Sequence, residues 1–419
     1  MRQASGSATN IATQSTTIES LKILNYRSCI DTRIDLQPDL SVLIGPNGTG
    51  KTTVLTAFFL LQSLAVETPF PTEVEEALNP CRLKASFKYN GSRAVLRTDI
   101  QLRTDESNKD VILKAIQSWN AKEFTGSSRG IKVPLWLAHR EFFRYELPRL
   151  YRFRLRSSSH QEPLPPQFKP VIKAIGTFLQ EMKYYSASQF TNPSLCPVSF
   201  EVEQEGSRRR AVRLRGHGRF LYDLYKARQT LSYAQFLQVI GPSGVDLINE
   251  IRFKEIPTSS VDYQVRSGGQ IQKRTQEKLL VVPQFVIGKN ALSPSQLSEG
   301  TFKTITLLFY LMTEKSSVLL IEEPEVCVHH GLLTSIVELI KTYSKQKQII
   351  LSTHSDFVLD QIEPRHLYEV SRTTDLGTVV THVTKAMSRG ESNAPILAAR
   401  TIQGLRDTSE SGVSQRGSS

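Results

Sequence analysis

One glycine-rich octapeptide constrains this chain more than any other feature. Residues Gly45–Thr52 read GPNGTGKT and match the pattern G-x-x-x-x-G-K-[ST]. They follow two predicted strands, IESLKILNYRSC and IDLQPDLSVLIG, and precede a predicted helix, TTVLTAFFLLQSLA. Glycines let backbone N–H groups point inward, and a helix N-terminus attracts anions. This octapeptide, here called the phosphate loop, therefore predicts a nucleotide site in an α/β fold.

The side chains of the phosphate loop predict ATP and Mg²⁺ as its ligands. Lys51 can reach the β- and γ-phosphates, and the Thr52 hydroxyl can bind Mg²⁺. The predicted nucleotide-binding residues of this segment are Gly45, Asn47, Gly48, Gly50, Lys51, Thr52 and Thr53.

Two carboxylates follow an apolar run later in the chain. The run Ser317–Ile321 is typical of a buried parallel strand, and it ends in Glu322 and Glu323. Carboxylates at such a strand end lie at the ligand edge of a sheet. We expect Glu322 to bind Mg²⁺, directly or through water, and Glu323 to act as general base on the attacking water.

A histidine stands at the end of a further apolar strand, Gln348–Thr353. A lone histidine is more often structural than catalytic. Its position at a second strand end nevertheless favours a role for His354 in contacting the γ-phosphate or the water.

The segment Ser295–Thr301, SQLSEGT, precedes an apolar helix pattern and places Ser298 and Gly300 at the helix N-terminus. Such a terminus attracts anions and would form a second phosphate site. The economical explanation is that it completes the site of a second copy, which predicts a homodimer or higher homo-oligomer. An ordinary capped core helix is the alternative.

Composition limits the remaining classes. No apolar stretch is long enough to span a membrane and no signal-peptide pattern opens the chain, so we expect a cytoplasmic protein. The four cysteines are far apart, which argues against zinc or disulfide frameworks. A net charge of +12 favours an acidic partner, either nucleic acid or protein.

The order of these motifs resembles the ABC-type ATPase heads of the SMC and RecF proteins. The sequences NYRS, IEEPE and THS resemble the OLD-type bacterial ATPases in particular. The resemblance implies a dimer closing around Mg-ATP, with a mixed sheet, an antiparallel β subdomain and a helical insertion. It also implies a glutamine that couples Mg²⁺ to the insertion, for which Gln189 is the candidate.

The implied organisation has six parts. We expect a disordered tail (1–17), an N-terminal ATPase lobe (18–104), a helical basic insertion (105–182), a core return with a basic β/α region (183–280), a C-terminal ATPase lobe (281–403) and a disordered tail (404–419). A type I′ hairpin is predicted at Asn90-Gly91, and a helix over DVILKAIQSWNAKEF.

Three positions depart from the family pattern. Glu299 stands where transporter-type signatures carry glycine. The loop after the paired acids has Val328 and His330 in place of leucine and proline, which weakens the implied cross-dimer role of His329.

Because few residues follow His354 before the predicted tail, we expect no Toprim nuclease domain of the kind found in OLD nucleases. The sequence is therefore similar to the stand-alone ATPase subunits of anti-phage modules of the PARIS and Septu type. Those subunits act with a separately encoded effector, a nuclease or toxin.

Two arginine clusters leave the partner open between DNA, a docked protein and a solvated face. The first cluster interleaves with aromatic residues and consists of Arg140, Arg144, Arg149, Arg152, Arg154 and Arg156. The second cluster consists of Arg208, Arg209, Arg210, Arg213, Arg215 and Arg219.

Two functional hypotheses follow from these features. The first is an ATP-dependent sensor that regulates an effector in anti-phage defence. The second is a RecF-like or SMC-like DNA-binding ATPase of repair or chromosome maintenance. A transporter motor fits IEEPE and LSEGT poorly.

Overall fold

The structure is a computed structural model. It describes residues 16–66, 80–104, 111–120, 131–133, 168–186, 190, 192–205, 208–211, 216–265, 271–312, 316–326, 328 and 330–384. The chain divides into two compact units. The first unit comprises Met1–Met182 and Glu363–Ser419, so both ends of the chain contribute to it, and the second comprises Lys183–Ile362.

Strands and helices are numbered in chain order. The strands are β1 (Thr16–Tyr26), β2 (Cys29–Asp35), β3 (Leu40–Ile44), β4 (Cys81–Tyr89), β5 (Ser92–Thr104), β6 (Val111–Asn120), β7 (Ile131–Val133), β8 (Lys183–Ser186), β9 (Phe200–Glu205), β10 (Arg208–Ala211), β11 (Glu250–Val265), β12 (Ile271–Ile287), β13 (Asn290–Leu292), β14 (Val318–Glu322), β15 (Gln348–Thr353), β16 (Leu367–Thr373) and β17 (Gly377–His382). The helices are α1 (Lys51–Val66), α2 (Phe168–Gln180), α3 (Gly216–Ala227), α4 (Leu231–Ile240), α5 (Glu299–Met312), α6 (His330–Ser344) and α7 (Asp356–Leu359).

The first unit is built on a mixed sheet. Its strands follow the order β7-β6-β5-β4-β1-β2-β17-β16-β3. All neighbours pair antiparallel except β16 and β3, which pair parallel. Asn90 and Gly91 both have positive φ, 48° and 83°, at the turn between β4 and β5. Because a type I′ turn requires positive φ at both central residues, the predicted hairpin is confirmed.

Helix α1 begins in the phosphate loop and is buried along most of its described length. A helix that is apolar nearly all round belongs in a core. One of its buried polar residues, Gln62, donates from Nε2 to the carbonyl oxygens of Leu179 and Met182 at 2.7 and 2.9 Å. Gln62 thus adds hydrogen bonds to carbonyl groups at and beyond the end of α2.

The second unit combines a parallel strand set with an antiparallel sheet. Strand β14 pairs parallel with β15 and with β8, and every residue of β14 and β15 is buried. Strands β10, β9, β12 and β11 form the antiparallel sheet in that order, and β13 pairs with β12. Burial on both faces explains why β14 and β15 read as continuous apolar runs in the sequence.

Aromatic packing fixes helix α5 in the second unit. The ring of Phe302 lies 5.5 Å from that of Phe220 and 6.4 Å from that of Phe190, and Phe309 lies 5.6 Å from Phe236 of α4. Residues 302–312 are all buried. The N-terminus of α5, which carries Ser298 and Gly300, is therefore anchored by the core behind it.

The α/β fold class with a mixed sheet is confirmed, and two details are corrected. The predicted helix over DVILKAIQSWNAKEF is wrong, because residues 111–120 form β6 and pair along their length with β5. β-Branched and aromatic residues suit a strand once a partner strand is present. The predicted strand IDLQPDLSVLIG is the end of β2 and all of β3, interrupted around Pro38.

The described cysteines are buried and unpaired. Cys29, Cys81 and Cys196 are free, and Cys327 lies outside the described residues. Burial raises the pKa of the Cys81 and Cys196 thiols to about 12. Since the thiolate is the reactive form, these side chains behave as core residues. No helix in the described part of the chain is long and apolar enough to cross a membrane.

Substitution in β14 tests the core assignment. Leu320 is 0% exposed, and Leu320→Ala should lower the free energy of unfolding by about 2–5 kcal/mol because it removes buried methyl groups and leaves a cavity. Leu195, 71% exposed, is the matched control, and Leu195→Ala should change stability by less than about 0.5 kcal/mol. Chemical denaturation measures both, and equal effects would contradict the fold.

Candidate functional site

The phosphate loop adopts a backbone that favours glycine at three of its positions. Gly45, Gly48 and Gly50 have φ values of 150°, 80° and 107°. Helix α1 starts directly afterwards, with the Val54 N–H donating to the Gly50 carbonyl at 3.0 Å. A glycine-rich turn that leads into a helix N-terminus presents N–H groups to an anion.

Two glycines also touch a hairpin from the other end of the chain. A Cβ at Gly45 would lie 2.2 Å from the carbonyl oxygen of Val370 in β16. A Cβ at Gly50 would lie 2.1 Å from Oγ1 of Thr378 in β17. Real Cβ atoms do not come this close to other atoms, so both positions exclude a side chain for steric reasons as well as for their φ values.

Lys51 is folded over the loop that precedes it. Its side chain is buried, and Nζ donates to the carbonyl oxygens of Gly45 and Pro46 at 2.7 and 3.1 Å. Thr52 is exposed at the second position of α1, and Asn47 and Gly48 are exposed at the loop tip. The lysine amine is therefore at the mouth of the loop, where phosphate oxygens can replace its carbonyl partners.

Two hydroxyl groups brace the phosphate loop, and neither belongs to the predicted site residues. Oγ1 of Thr378 lies 2.9 Å from the carbonyl oxygen of Thr49 and 2.8 Å from Oγ of Ser28. Oγ of Ser28 lies 3.2 Å from Oγ1 of Thr53. Thr378 has no local signal in the sequence, because its partners are 329 and 350 positions away. Ser28 belongs to the NYRS sequence that carried the family resemblance.

Removing one of these hydroxyls should loosen the phosphate loop. Thr378→Val keeps the shape of the side chain but leaves the buried contacts to Thr49 and Ser28 unmade, which should cost about 1–3 kcal/mol of stability. It should also weaken ATP binding. Thr378→Ser keeps the hydroxyl and is the control. Equal ATP affinity of the valine and serine variants, measured by calorimetry, would contradict a bracing role.

In the second unit, the paired acids lie where β14 ends. Glu322 is the last residue of the strand and is buried. Tyr184 of β8 donates its hydroxyl to Oε2 of Glu322 at 2.6 Å. Sequence reasoning placed β8 in the core but missed Tyr184, whose partner is 138 positions away.

Glu323 has an uncommon backbone conformation. Its φ is 47°, in the left-handed region that a non-glycine residue adopts at a cost of about 1–2 kcal/mol. Its N–H donates to the carbonyl oxygen of Ser352 in β15 at 2.9 Å. Backbone strain of this kind clusters at functional sites, so it supports the assignment of Glu323 as a reacting group.

The structure brings His354 to the acids, as its position in the sequence suggested. Nδ1 of His354 lies 3.5 Å from Oε1 of Glu323 and 3.3 Å from Oε1 of Glu325. Glu325 was not among the predicted site residues. Its signal was visible as the second glutamate of the E-P-E sequence.

The predicted N-terminal cap of α5 is confirmed. Oγ of Ser298 accepts the N–H of Thr301 at 3.2 Å, and Gly300 lies in the first turn of the helix. Glu299, the departure from the family pattern, has a partner: its Oε1 lies 2.7 Å from Nζ of Lys303, which is 1% exposed. The carboxylate therefore compensates a buried ammonium group four residues further along the helix.

Neutralising Glu299 should expose the cost of burying Lys303. Glu299→Gln should lower the free energy of unfolding by about 1–2 kcal/mol, less than for a fully buried pair because the Glu299 side chain is 41% exposed. Glu338, in an exposed pair with Lys341 on α6, is the control. Glu338→Gln should stay within about 0.5 kcal/mol. Thermal and chemical unfolding measure both, and equal losses would contradict this account.

Several predicted residues lie outside the described part of the chain. These are Gln189, His329, the first arginine cluster, and Arg213 and Arg215 of the second cluster. Residues Arg208–Arg210 belong to β10. Arg219 lies on α3, pairs with Asp223 at 3.0 Å and stacks 5.8 Å from the ring centre of Tyr222.

Two protein-family models match the chain. Residues 17–138 match the model described as "AAA ATPase domain". Residues 189–360 match the model described as "AAA domain, putative AbiEii toxin, Type IV TA system". The phosphate loop lies in the first match, and the paired acids and His354 lie in the second. Both matched models are ATPase-type domains, which confirms the ATPase activity predicted from the motifs.

Comparison with individual proteins adds a short sequence match and distant structural likenesses. Over 43 residues the chain is 54% identical to the DNA double-strand break repair Rad50 ATPase of Methanopyrus kandleri, which is 10% of this chain and 5% of that protein. The SMC head domain from Thermotoga maritima aligns at 12% identity and a TM-score of 0.43, over 88% of this chain and 99% of that one. The Smc head domain from Pyrococcus furiosus aligns at 11% identity and a TM-score of 0.48, over 90% and 99%.

Proposed function

We propose that the chain binds Mg-ATP through its phosphate loop and hydrolyses it with the acids at the end of β14. The observation that carries the proposal is the backbone of the phosphate loop, where Gly45 and Gly50 have positive φ and no room for a Cβ. Asn47, Gly48 and Thr53 complete the nucleotide-binding set. Lys51, whose amine already contacts oxygen acceptors at the loop mouth, would bind the β- and γ-phosphates.

The proposal includes a magnesium ion of the kind that accompanies ATP. Mg²⁺ favours oxygen ligands and is commonly bound by one or two protein groups together with phosphates and water. Thr52, Glu322 and Gln189 are the proposed protein groups. When bound, the ion neutralises charge that develops on the phosphate oxygens. Tyr184, which donates its hydroxyl to Oε2 of Glu322 at 2.6 Å, would help to orient that carboxylate.

Glu323 is the proposed general base. Its carboxylate is partly exposed and has His354 on one side, at 3.5 Å. It can therefore accept a proton from an attacking water, while His354 contacts the γ-phosphate or that water. The N–H bond from Glu323 to Ser352 fixes the base at the strand end.

Ser298 and Gly300 are proposed to act on the nucleotide of a second copy of the chain. The capped N-terminus of α5 presents a helix end suited to phosphate. A second phosphate site on the same chain is explained if two copies close around Mg-ATP. Closure of this homodimer, or of a higher homo-oligomer, would then depend on ATP.

The favoured biological role is that of a sensor that regulates a separately encoded effector, a nuclease or toxin, in anti-phage defence. This role is supported by the match of residues 189–360 to a family whose description names a toxin of a toxin–antitoxin system. Co-expression with the product of the neighbouring gene, followed by size-exclusion chromatography with and without ATP, tests it. This role would be contradicted if the product of the neighbouring gene did not bind the chain and if its own activity did not change when ATP was added.

The second candidate is a DNA-binding ATPase of repair or chromosome maintenance. The short match to the Rad50 ATPase supports it, as does the net charge of +12. ATP-stimulated DNA binding with a steep dependence on salt concentration would favour this function. DNA affinity that is weak and independent of ATP would argue against it.

Replacing the proposed base should separate binding from hydrolysis. Glu323→Gln should keep ATP affinity, lower kcat by about a hundredfold or more, and accumulate an ATP-bound dimer. Lys51→Ala should instead weaken nucleotide binding. Steady-state turnover and size-exclusion chromatography with ATP measure these effects, with Glu338→Gln as a surface control. Unchanged turnover of Glu323→Gln would sink the assignment of the base.

A further inference from the structure

The last glutamate of the sequence E-E-P-E has no role in the proposed hydrolysis of ATP. Glu325 lies in the turn after β14, two positions beyond the proposed base, and its side chain is 9% exposed. An ionisable carboxyl group that is removed from water needs compensating hydrogen bonds to persist. Its contacts therefore indicate what the position is for.

One oxygen of Glu325 binds the end of β15. Oε1 accepts the hydroxyl of Thr353 at 2.8 Å and the N–H of His354 at 3.0 Å. Oγ1 of Thr353 in turn accepts the N–H of Ser355 at 3.0 Å. A single carboxylate oxygen thus fixes the backbone on both sides of His354.

The same oxygen lies beside the imidazole ring. Nδ1 of His354 is 3.3 Å from Oε1 of Glu325. The ring therefore lies beside the same oxygen that accepts the backbone N–H of His354. Nε2 is the nitrogen on the opposite side of the ring. Orientation of a histidine by a carboxylate at its second nitrogen is the arrangement that fixes a reacting imidazole.

The other oxygen of Glu325 is not explained by stability. Oε2 is buried and has no hydrogen-bond partner among the described residues. Oγ of Ser352, at the same end of β15, is also buried without a partner in the described part of the chain. Buried polar atoms without partners are rare in ordinary cores.

We propose that Glu325 is a positioning residue of the ATPase reaction, which sets the backbone and the imidazole orientation of His354 through its Oε1. Glu325 touches no substrate in this role and acts through the histidine. The inference rests on the proposed function, in which His354 contacts the γ-phosphate or the attacking water.

A double-mutant cycle on the full chain tests whether Glu325 acts through His354. Glu325→Ala should lower kcat for Mg-ATP by about tenfold, with KM changed by less than about threefold. In a His354→Ala background the same substitution should lower kcat by less than about twofold, because the residue it positions is already absent. An equal loss of kcat in both backgrounds overturns the proposal.

A conservative variant separates positioning from charge. Glu325→Gln keeps an acceptor oxygen for Thr353 and His354 and should return kcat to within about threefold of the unsubstituted protein. Glu338→Ala, which removes an exposed acid from α6, should leave kcat unchanged. A glutamine variant as slow as the alanine variant contradicts the role given to Oε1.

Two further measurements keep the test decisive. If Glu325→Ala does not fold, the cycle is run with Thr353→Val, which removes one donor to Oε1 and leaves Glu325 in place. Additive losses of Thr353→Val and His354→Ala overturn the proposal. If Lys51→Ala still hydrolyses ATP, the proposed function itself is wrong. If Lys51→Ala is inactive but the losses of kcat in the cycle are additive, only the role of Glu325 is wrong.

Discussion

Steric contact between the phosphate loop and the β16–β17 hairpin is the constraint on which the first unit depends. Gly45 lies against the carbonyl oxygen of Val370, and Gly50 lies against Thr378, with no space for a Cβ at either position. The hydroxyl of Thr378 then reaches Thr49 and Ser28, which links the loop to the turn between β1 and β2. The loop is thus held by the sheet around it as well as by its own glycines, and a preformed anion site avoids ordering the backbone when the ligand binds.

The second unit positions its polar groups at the ends of buried strands. The apolar run of β14 ends in Glu322, and that of β15 ends in Ser352 and Thr353. There the N–H of Glu323 binds Ser352, and Glu325 binds Thr353 and His354. These bonds hold Glu323, Glu325 and His354 together just beyond the ends of β14 and β15. The aromatic residues around Phe302 do the same for α5, since they bury the helix and leave its capped N-terminus accessible.

The parts that could be predicted from the sequence are those that a local pattern specifies. The phosphate loop, the acids after β14, His354 and the cap at Ser298 each occupy a short segment whose residue types state their chemistry. Thr378, Tyr184 and Gln62 could not be found in this way, because each acts on residues more than a hundred positions away. The segment of β6 has a helix-like pattern for a different reason, since pairing with the neighbouring strand β5 decides its conformation. Glu299 was recognised as a departure, but its partner Lys303 became evident only from the ion pair.

The braced phosphate loop also has a consequence for how the protein is made. Thr378, whose hydroxyl meets the carbonyl of Thr49, is synthesised 329 positions after that residue. Since domains fold as units during synthesis, an unfinished chain has the glycine-rich motif without the hairpin that supports it. Nucleotide can then stabilise only finished molecules, because a ligand stabilises the state that binds it. Chains cut short before β17 would lack that stabilisation and remain open to proteolysis.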